Sequence, residues 1–375
     1  MTTNTPAQLG FSMPAEWEPH EASWLGWPQN AADWPGKMNA IPWVYGEMVR
    51  KIAPGEKVRI VVGSKAVEAR ARRVLEIARA DLAQVEFFRW PTDRGWMRDS
   101  GPIFVRRGRG QETRAQRGAR VRASTHPTAA GRGETAIVDF HFNGWARYDN
   151  WHQDRKVPER ASRALGLPLF SAEHGGRPFV LEGGGIDVNG RGTLLTTEEC
   201  YLDFQTQVRN PGLSRHEFEE TLRRYLGVKN VLWLGRGIAG DDTHGHVDDV
   251  CRFVNPGTVV LCRCQDPRDV NYRPLEENFE RLADMRLEEG SKIEVVPLPM
   301  PAPLCWRTLR LPASYANFYV ANAAVLVPTF NDPADREALG ILGELFSGRP
   351  VVGIHAVDLV LGFGTVHCLA QQQPS

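Results

Sequence analysis

No stretch of about 18 apolar residues occurs in the chain, so nothing in it reads as a membrane span. Net charge is also missing. The 45 Lys plus Arg balance 45 Asp plus Glu, which argues against nucleic acid or an anionic membrane as the main partner. The first residues, Met1 to Gln8, lack the basic and apolar regions of a signal peptide. Cysteine is scarce: Cys200, Cys251, Cys262, Cys264, Cys305 and Cys368 form no CxxC pair and no disulfide-scaffold spacing. These absences point to a cytoplasmic protein with reduced thiols. Five of the six cysteines read as buried small hydrophobes. Cys368 sits in a different setting near the C-terminus.

What is present is ample apolar material. Hydrophobic residues make up 42% of 375, enough for a sizeable core in two or three domains or one large one. Arg106 to Gly133 stands apart, with eight arginines against Glu112 and few large apolar residues. Such a stretch cannot offset its ordering entropy by burial. It is expected as a basic, flexible insertion loop, 106–133, between two strands. A nucleic-acid-binding arm is the competing reading, but no aromatic residue interleaves the arginines.

Elsewhere strand and helix signals alternate. The unit that recurs is two strands, a helix and a strand. Its strand pairs begin near residues 102, 178, 249 and 318, roughly seventy apart. One predicted pair joins Pro178–Leu181 to Gly192–Thr196 around the Asn189-Gly190 turn signal. A ring of such units would bring equivalent strand ends to one centre. An ordinary open α/β sheet would contain the same elements.

Four short motifs carry candidate chemistry. In Trp96-Met97-Arg98-Asp99-Ser100-Gly101-Pro102, Asp99 stands at a strand entrance; taken alone it suits a capping or turn residue. In Leu181-Glu182-Gly183-Gly184-Gly185, a carboxylate is followed by three glycines that let backbone or ligand come close. The run Asp241 to Asp249 holds four aspartates with His244 and His246. It reads either as a metal site of His244, His246 and Asp248, or as a general acid/base His246 beside a substrate-binding Asp248. In an extended segment residues i and i+2 share a side, so these two would point together. Last, Gly362-Phe363-Gly364-Thr365-Val366-His367-Cys368 is a glycine-flexed turn that delivers a Cys beside a His.

In this order the motifs resemble the agmatine deiminase branch of the peptidylarginine-deiminase-like guanidino-modifying enzymes. The likeness runs from Met13-Pro14-Ala15-Glu16-Trp17-Glu18-Pro19-His20 to Gln371-Gln372-Gln373-Pro374. It includes Leu194-Leu195-Thr196-Thr197-Glu198-Glu199-Cys200 and Ala313-Ser314-Tyr315-Ala316-Asn317-Phe318-Tyr319. The resemblance implies an α/β fold, a five-bladed pseudo-symmetric propeller of ββαβ units, in a single domain over 1–375. It implies Cys368 as nucleophile and His246 as the proton carrier. Asp99 and Asp248 would grip the guanidinium, and Glu182 would orient and charge-balance the histidine. Trp96 and Gly364 would line the pocket. Asp241 or Asp242 would accept the distal ammonium of agmatine. The implied activity is metal-independent hydrolysis of agmatine to N-carbamoylputrescine and ammonia, a step of polyamine (putrescine) biosynthesis. No metal and no other cofactor is expected, and a homo-oligomer is left open. The alternatives are a deiminase of free or peptidyl arginine and a non-catalytic guanidine-binding homologue. Three residues depart from the branch. Phe363 and Thr365 stand where Gly and Asn are usual, and His244 where Asp or Asn is commoner.

Overall fold

The recurring unit is present five times among the residues that the computed structural model describes, 4–108 and 134–375. Each time an antiparallel pair is followed by a helix and a third strand, parallel to the second. Ile103–Arg107 and Glu134–Asp139 pair first, and Val157–Leu165 leads to Leu169–Ser171. Asp187–Val188 and Thr193–Thr197 follow, with Arg215–Leu226 leading to Asn230–Leu234. The next unit is Cys251–Asn255, Thr258–Arg263, Tyr272–Asp284 and Glu294–Pro299. Then come Tyr319–Val320, Val325–Thr329, Ala334–Leu345 and Val351–His355. A parallel step needs a crossover of a dozen or more residues, and the helix supplies it.

The fifth unit joins the two ends of the chain. The C-terminal strand Ala370–Pro374 runs antiparallel to His20–Gly26, with Trp24 opposite Gln371. The helix Ile41–Ile52 leads on to Lys57–Val62, and Val85–Arg89 adds a fourth strand. The sequence pattern misses this unit because its first strand lies at the far end of the chain. The polar run Gln371–Gln373 is buried, and two of its side chains find partners. Gln372 accepts from Arg98 Nη1 at 2.8 Å, and Gln373 from Trp24 Nε1 at 3.0 Å.

Local chemistry fixes the elements. Ser214 and Glu217 form a reciprocal capping box at the start of Arg215–Leu226. That helix ends on Gly227, whose φ of 67° needs no side-chain accommodation. Tyr45, Met48, Val49 and Ile52 of one helix face pack with Val58, Ile60 and Val62 in one apolar cluster. Thr193–Thr197 is buried throughout, as expected of a strand covered on both faces.

Four expectations need correction. Leu181 does not pair with Gly192–Thr196; the partner strand is Asp187–Val188, because Gly183–Gly185 forms a tight turn that interrupts the ladder. Val247–Asp249 is likewise a helical turn, and the strand begins only at Cys251. Arg106 and Arg107 belong to a strand, opposite Thr135 and Glu134, rather than to a loop. The rest of the expected basic loop, 109–133, lies outside the described residues. Cys305 is exposed, whereas Cys200, Cys251, Cys262 and Cys264 are buried.

Candidate active site around Cys368

Cys368 lies in the one-turn helix Val366–Leu369, immediately before the C-terminal strand. Its Sγ is 3.1 Å from Asn317 Nδ2 and 3.6 Å from Asp248 Oδ2. Asn317 holds the turn in shape. Its Oδ1 accepts from Thr365 Oγ1 at 2.7 Å, His367 N at 3.1 Å and Cys368 N at 3.4 Å. Thr365 therefore has a bonding role of its own. Phe363 adopts a left-handed φ of 67°, which explains why glycine is the usual residue there. At Gly364 an added Cβ would stand 2.8 Å from Trp96 Cζ3 and 3.1 Å from Cys368 Sγ. Only glycine lets the thiol lie this close to the Trp96 wall.

His246 is delivered by a loop that Asp241 builds. The Asp241 Oδ2 accepts from the backbone N–H of Gly245 at 2.8 Å and of His246 at 3.1 Å. Asp241 thus shapes the turn that carries His246. His246 caps the turn Val247–Asp249, so His246 and Asp248 converge through a helical turn and not through an extended segment. The His246 Nδ1 stands 3.8 Å from Asp99 Oδ1 and 4.0 Å from Asp248 Oδ1, and Nε2 is 3.8 Å from Glu182 Oε2. His244, at a φ of 65° that favours Asn or Asp, turns instead to Asp203, 2.8 Å from its Nε2. His244, His246 and Asp248 therefore do not assemble as a ligand set.

The carboxylates are held by different partners. Asp99, in the short helix Met97–Ser100, accepts from Gly184 N at 2.9 Å and from Trp145 Nε1 at 3.0 Å. Asp248 Oδ2 accepts from His367 Nδ1 at 2.7 Å, while its buried Oδ1 has no hydrogen-bond partner among the described residues. Glu182 is 0% exposed; Arg209 Nε lies 3.2 Å from one oxygen and Tyr201 Oη 3.2 Å from the other. These groups share one focus. An added Cβ at Gly184 would stand 2.6 Å from His246 Nδ1, 2.9 Å from Asp99 Oδ1 and 3.0 Å from Asp248 Oδ2.

Electrostatics follow from burial and from these neighbours. Burial pushes the Asp99 carboxyl up to about 6, against the pull of His246 and aided by Asp248 and Glu182. Burial opposes charge on Glu182 too, but Arg209 and His246 bring it down to about 2. Burial also disfavours the His246 cation, yet Asp99 foremost and then Cys200 and Glu182 raise it well above the usual imidazole range. Burial, then the charges of Asp248, Asp249 and Asp99, push the Cys368 thiol well above the usual range.

Sequence reasoning missed several neighbours. His367 bridges two carboxylates, Asp248 and Glu16, the latter 2.8 Å from its Nε2. The His-Cys dipeptide was the only signal, and it does not name the partners. Trp145 reaches Asp99 from three successive left-handed residues, Gly144 at 67°, Trp145 at 58° and Ala146 at 52°. Asp242 does not touch Asp99. It accepts from Tyr148 Oη at 2.6 Å, and the Tyr148 ring meets Trp145 edge-on. Arg94 lies 3.9 Å over the same Tyr148 ring and 2.6 Å from Asp33, which accepts from Trp96 Nε1 at 3.2 Å. Asp242 therefore belongs to a layer that adjoins Trp96 and Trp145.

The whole chain has known relatives. Residues 12–374 match the family model of the Porphyromonas-type peptidyl-arginine deiminases. An agmatine deiminase of Medicago truncatula is 36% identical over 99% of this chain and 98% of its own length. The solved agmatine deiminase of Enterococcus faecalis superposes with a TM-score of 0.85 at 30% identity, covering 100% of this chain and 98% of that one. The C. jejuni agmatine deiminase with substrate bound gives 0.80 at 26% identity, covering 97% and 96%. Its mixed α/β fold is shared with these structures, and the chain belongs to the Porphyromonas-type peptidyl-arginine deiminase family.

Proposed function

We propose that the chain is an agmatine deiminase that hydrolyses agmatine to N-carbamoylputrescine and ammonia through a covalent intermediate on Cys368. The carrying observation is the common focus of His246, Asp99 and Asp248 at Gly184, with the Cys368 thiol 3.6 Å from Asp248. Full-length similarity to agmatine deiminases supports the same reading.

A guanidinium is planar, cationic and resonance-stabilised, so its carbon is a poor electrophile. Asp99 and Asp248 take its N–H groups in charge-assisted hydrogen bonds and hold the carbon beside the thiol. The arriving cation reverses the local field, the thiol proton leaves to solvent, and the thiolate attacks. A C–S bond forms as the C=N electron pair moves onto nitrogen. The His246 imidazolium gives its proton to the departing nitrogen, the C–N bond breaks and ammonia leaves. Neutral His246 then takes a proton from water. The hydroxide adds to the amidino carbon, the C–S bond breaks as the carbamoyl C=O forms, and the oxygen's remaining proton passes to the released thiolate. Glu182 balances the histidine's charge throughout. The half-buried Asp242, whose carboxyl desolvation raises to about 6, suits the distal ammonium. Free arginine would bring a carboxylate toward Asp242 and Asp33, with Arg94 already paired.

The five units are read as blades of a single-domain propeller around this centre. Residues 96–99, 182–184, 246–248, 317 and 364–368, which meet there, come from five separate stretches of the chain.

The test is ammonia release with agmatine, free arginine and a peptidylarginine. Agmatine exceeds arginine in kcat/KM by on the order of 10²-fold or more, the cost of burying an uncompensated carboxylate. Equal or better turnover of arginine would assign the chain to the other substrate class.

Two further results follow. The kcat/KM for agmatine falls as pH drops through about 6, where Asp99 and Asp242 gain protons and lose their hold on a cation. A pH–rate profile flat to about 5 would contradict the low-dielectric origin of these shifts. Gly184→Ala lowers kcat/KM by on the order of 10²-fold, since a methyl at the focus displaces reacting groups by about 1 Å. An unchanged rate in the folded variant would remove Gly184 from the site.

A further inference from the structure

Cys200 has no part in the chemistry above, yet it is buried against His246. Its Sγ, a ring nitrogen of His246 and a carboxylate oxygen of Glu182 all lie within 4.8 Å of one another. Among the described residues this is the one group of such donors close enough to share an ion. The chain holds the three together deliberately tightly. Thr197 accepts from Cys200 N at 3.2 Å and donates to the carbonyl of Gly245, the residue before His246. Tyr201, the residue after Cys200, is bonded to Glu182.

Two observations point to a ligand here. Both ring nitrogens of His246 lack a hydrogen-bond partner among the described residues, although the residue is 1% exposed. The 3.8 Å from Nε2 to Glu182 Oε2 is too long for a hydrogen bond. Two ligands that each sit about 2.0–2.2 Å from one zinc ion can be at most about 4 Å apart, so a shared ion fits that gap.

We propose that Glu182, Cys200 and His246 form an inhibitory site for a thiophilic divalent cation such as zinc. One thiolate, one imidazole and one carboxylate make a zinc-type donor set with a fourth position left for water. Arg209 occupies Glu182 Oε1, while Oε2 accepts from Tyr201 Oη at 3.2 Å and keeps a second lone pair for the ion; the Arg209 charge opposes the ion and keeps the site reversible. On binding, a metal–sulfur bond forms as the thiol proton leaves to buffer, and His246 surrenders its Nε2 proton. Nothing is oxidised or reduced. A metal-held His246 cannot protonate departing ammonia. That consequence rests on the deiminase reading; the binding does not.

The test uses full-length protein stripped of metal by a chelator. Zinc is titrated by calorimetry and cobalt by absorption, on wild type, Cys200→Ala, Cys200→Ser and Cys368→Ala. Wild type and Cys368→Ala bind one equivalent and show a cobalt–thiolate charge-transfer band. Both Cys200 variants lose the band and at least about tenfold in zinc affinity, the loss that even an outer partner causes. Their own turnover, relative to each zinc-free rate, resists zinc that stops wild type. Absence of binding to wild type would overturn the site. So would a band that survives in the Cys200 variants and vanishes in Cys368→Ala. If wild type released no ammonia from agmatine, the deiminase reading would fail, while the cobalt spectra would still decide the site.

Discussion

Cys368→Ala releases no measurable ammonia from agmatine, a loss on the order of 10⁴-fold or more. No second thiol can substitute, because Cys200 lies by His246 and Glu182 instead. A serine at 368 fares no better. Its hydroxyl would meet the same surrounding carboxylates, which disfavour an anion, and it starts from a far weaker acidity than a thiol. The fold survives. Asn317 keeps its bonds to Thr365 and to the backbone of His367, and loses only the contact from Nδ2 to sulfur. The alanine variant therefore melts within a few degrees of wild type. Retained ammonia release in a folded Cys368→Ala protein would refute the nucleophile.

Glu16→Ala lowers unfolding free energy by about 3–5 kcal/mol, as expected when one partner of a buried charge network is removed. Glu16 is 3% exposed and its two oxygens tie four distant places together. Oε2 is 2.9 Å from Arg98 Nη2 and 2.8 Å from His367 Nε2. Oε1 is 3.1 Å from Arg252 Nη2 and accepts from Val320 N at 2.8 Å. Removing the carboxylate leaves two buried guanidinium groups short of a counter-charge. Burial opposes ionisation of Glu16, but Arg252, His367 and Arg98 outweigh it and hold the carboxyl well below the usual range. Its contribution is therefore fully present above the unfolded value of about 4.3 and is lost as pH falls toward the depressed native one. Urea melts at neutral pH measure the loss. The variant's kcat/KM also falls, because His367, which holds Asp248 at 2.7 Å, loses its other anchor. A melt unchanged to within about 1 kcal/mol would contradict the network's role.

The sequence was most legible where short motifs flank a reactive side chain with glycine. Asp99, Glu182, His246, Asp248 and Cys368 were singled out that way, and their side chains meet. The route to one pair was wrong: His246 and Asp248 converge through a helical turn closed by Asp241, not through strand alternation. Departures from the family pattern became intelligible only with backbone angles. Phe363 and His244 both sit at positive φ, where Gly, Asn or Asp is the ordinary choice. What stayed hidden depends on partners far apart in the chain. Nothing in Met13-Pro14-Ala15-Glu16 announces Arg98, Arg252 and His367, and nothing near Trp24 announces Gln371. Trp145 was invisible for another reason: its three left-handed residues run against local preference and persist through packing and the bond to Asp99.

The central claim is that agmatine becomes covalently attached to Cys368 before water releases it. The direct measurement is an acid quench of the wild-type enzyme during turnover, followed by peptide mass mapping. The account predicts a mass gain equal to agmatine less ammonia, confined to the peptide that carries Cys368 and absent from Cys368→Ala. An adduct on Cys200 or any other residue, or steady turnover with no adduct on repeated quenching, would contradict it.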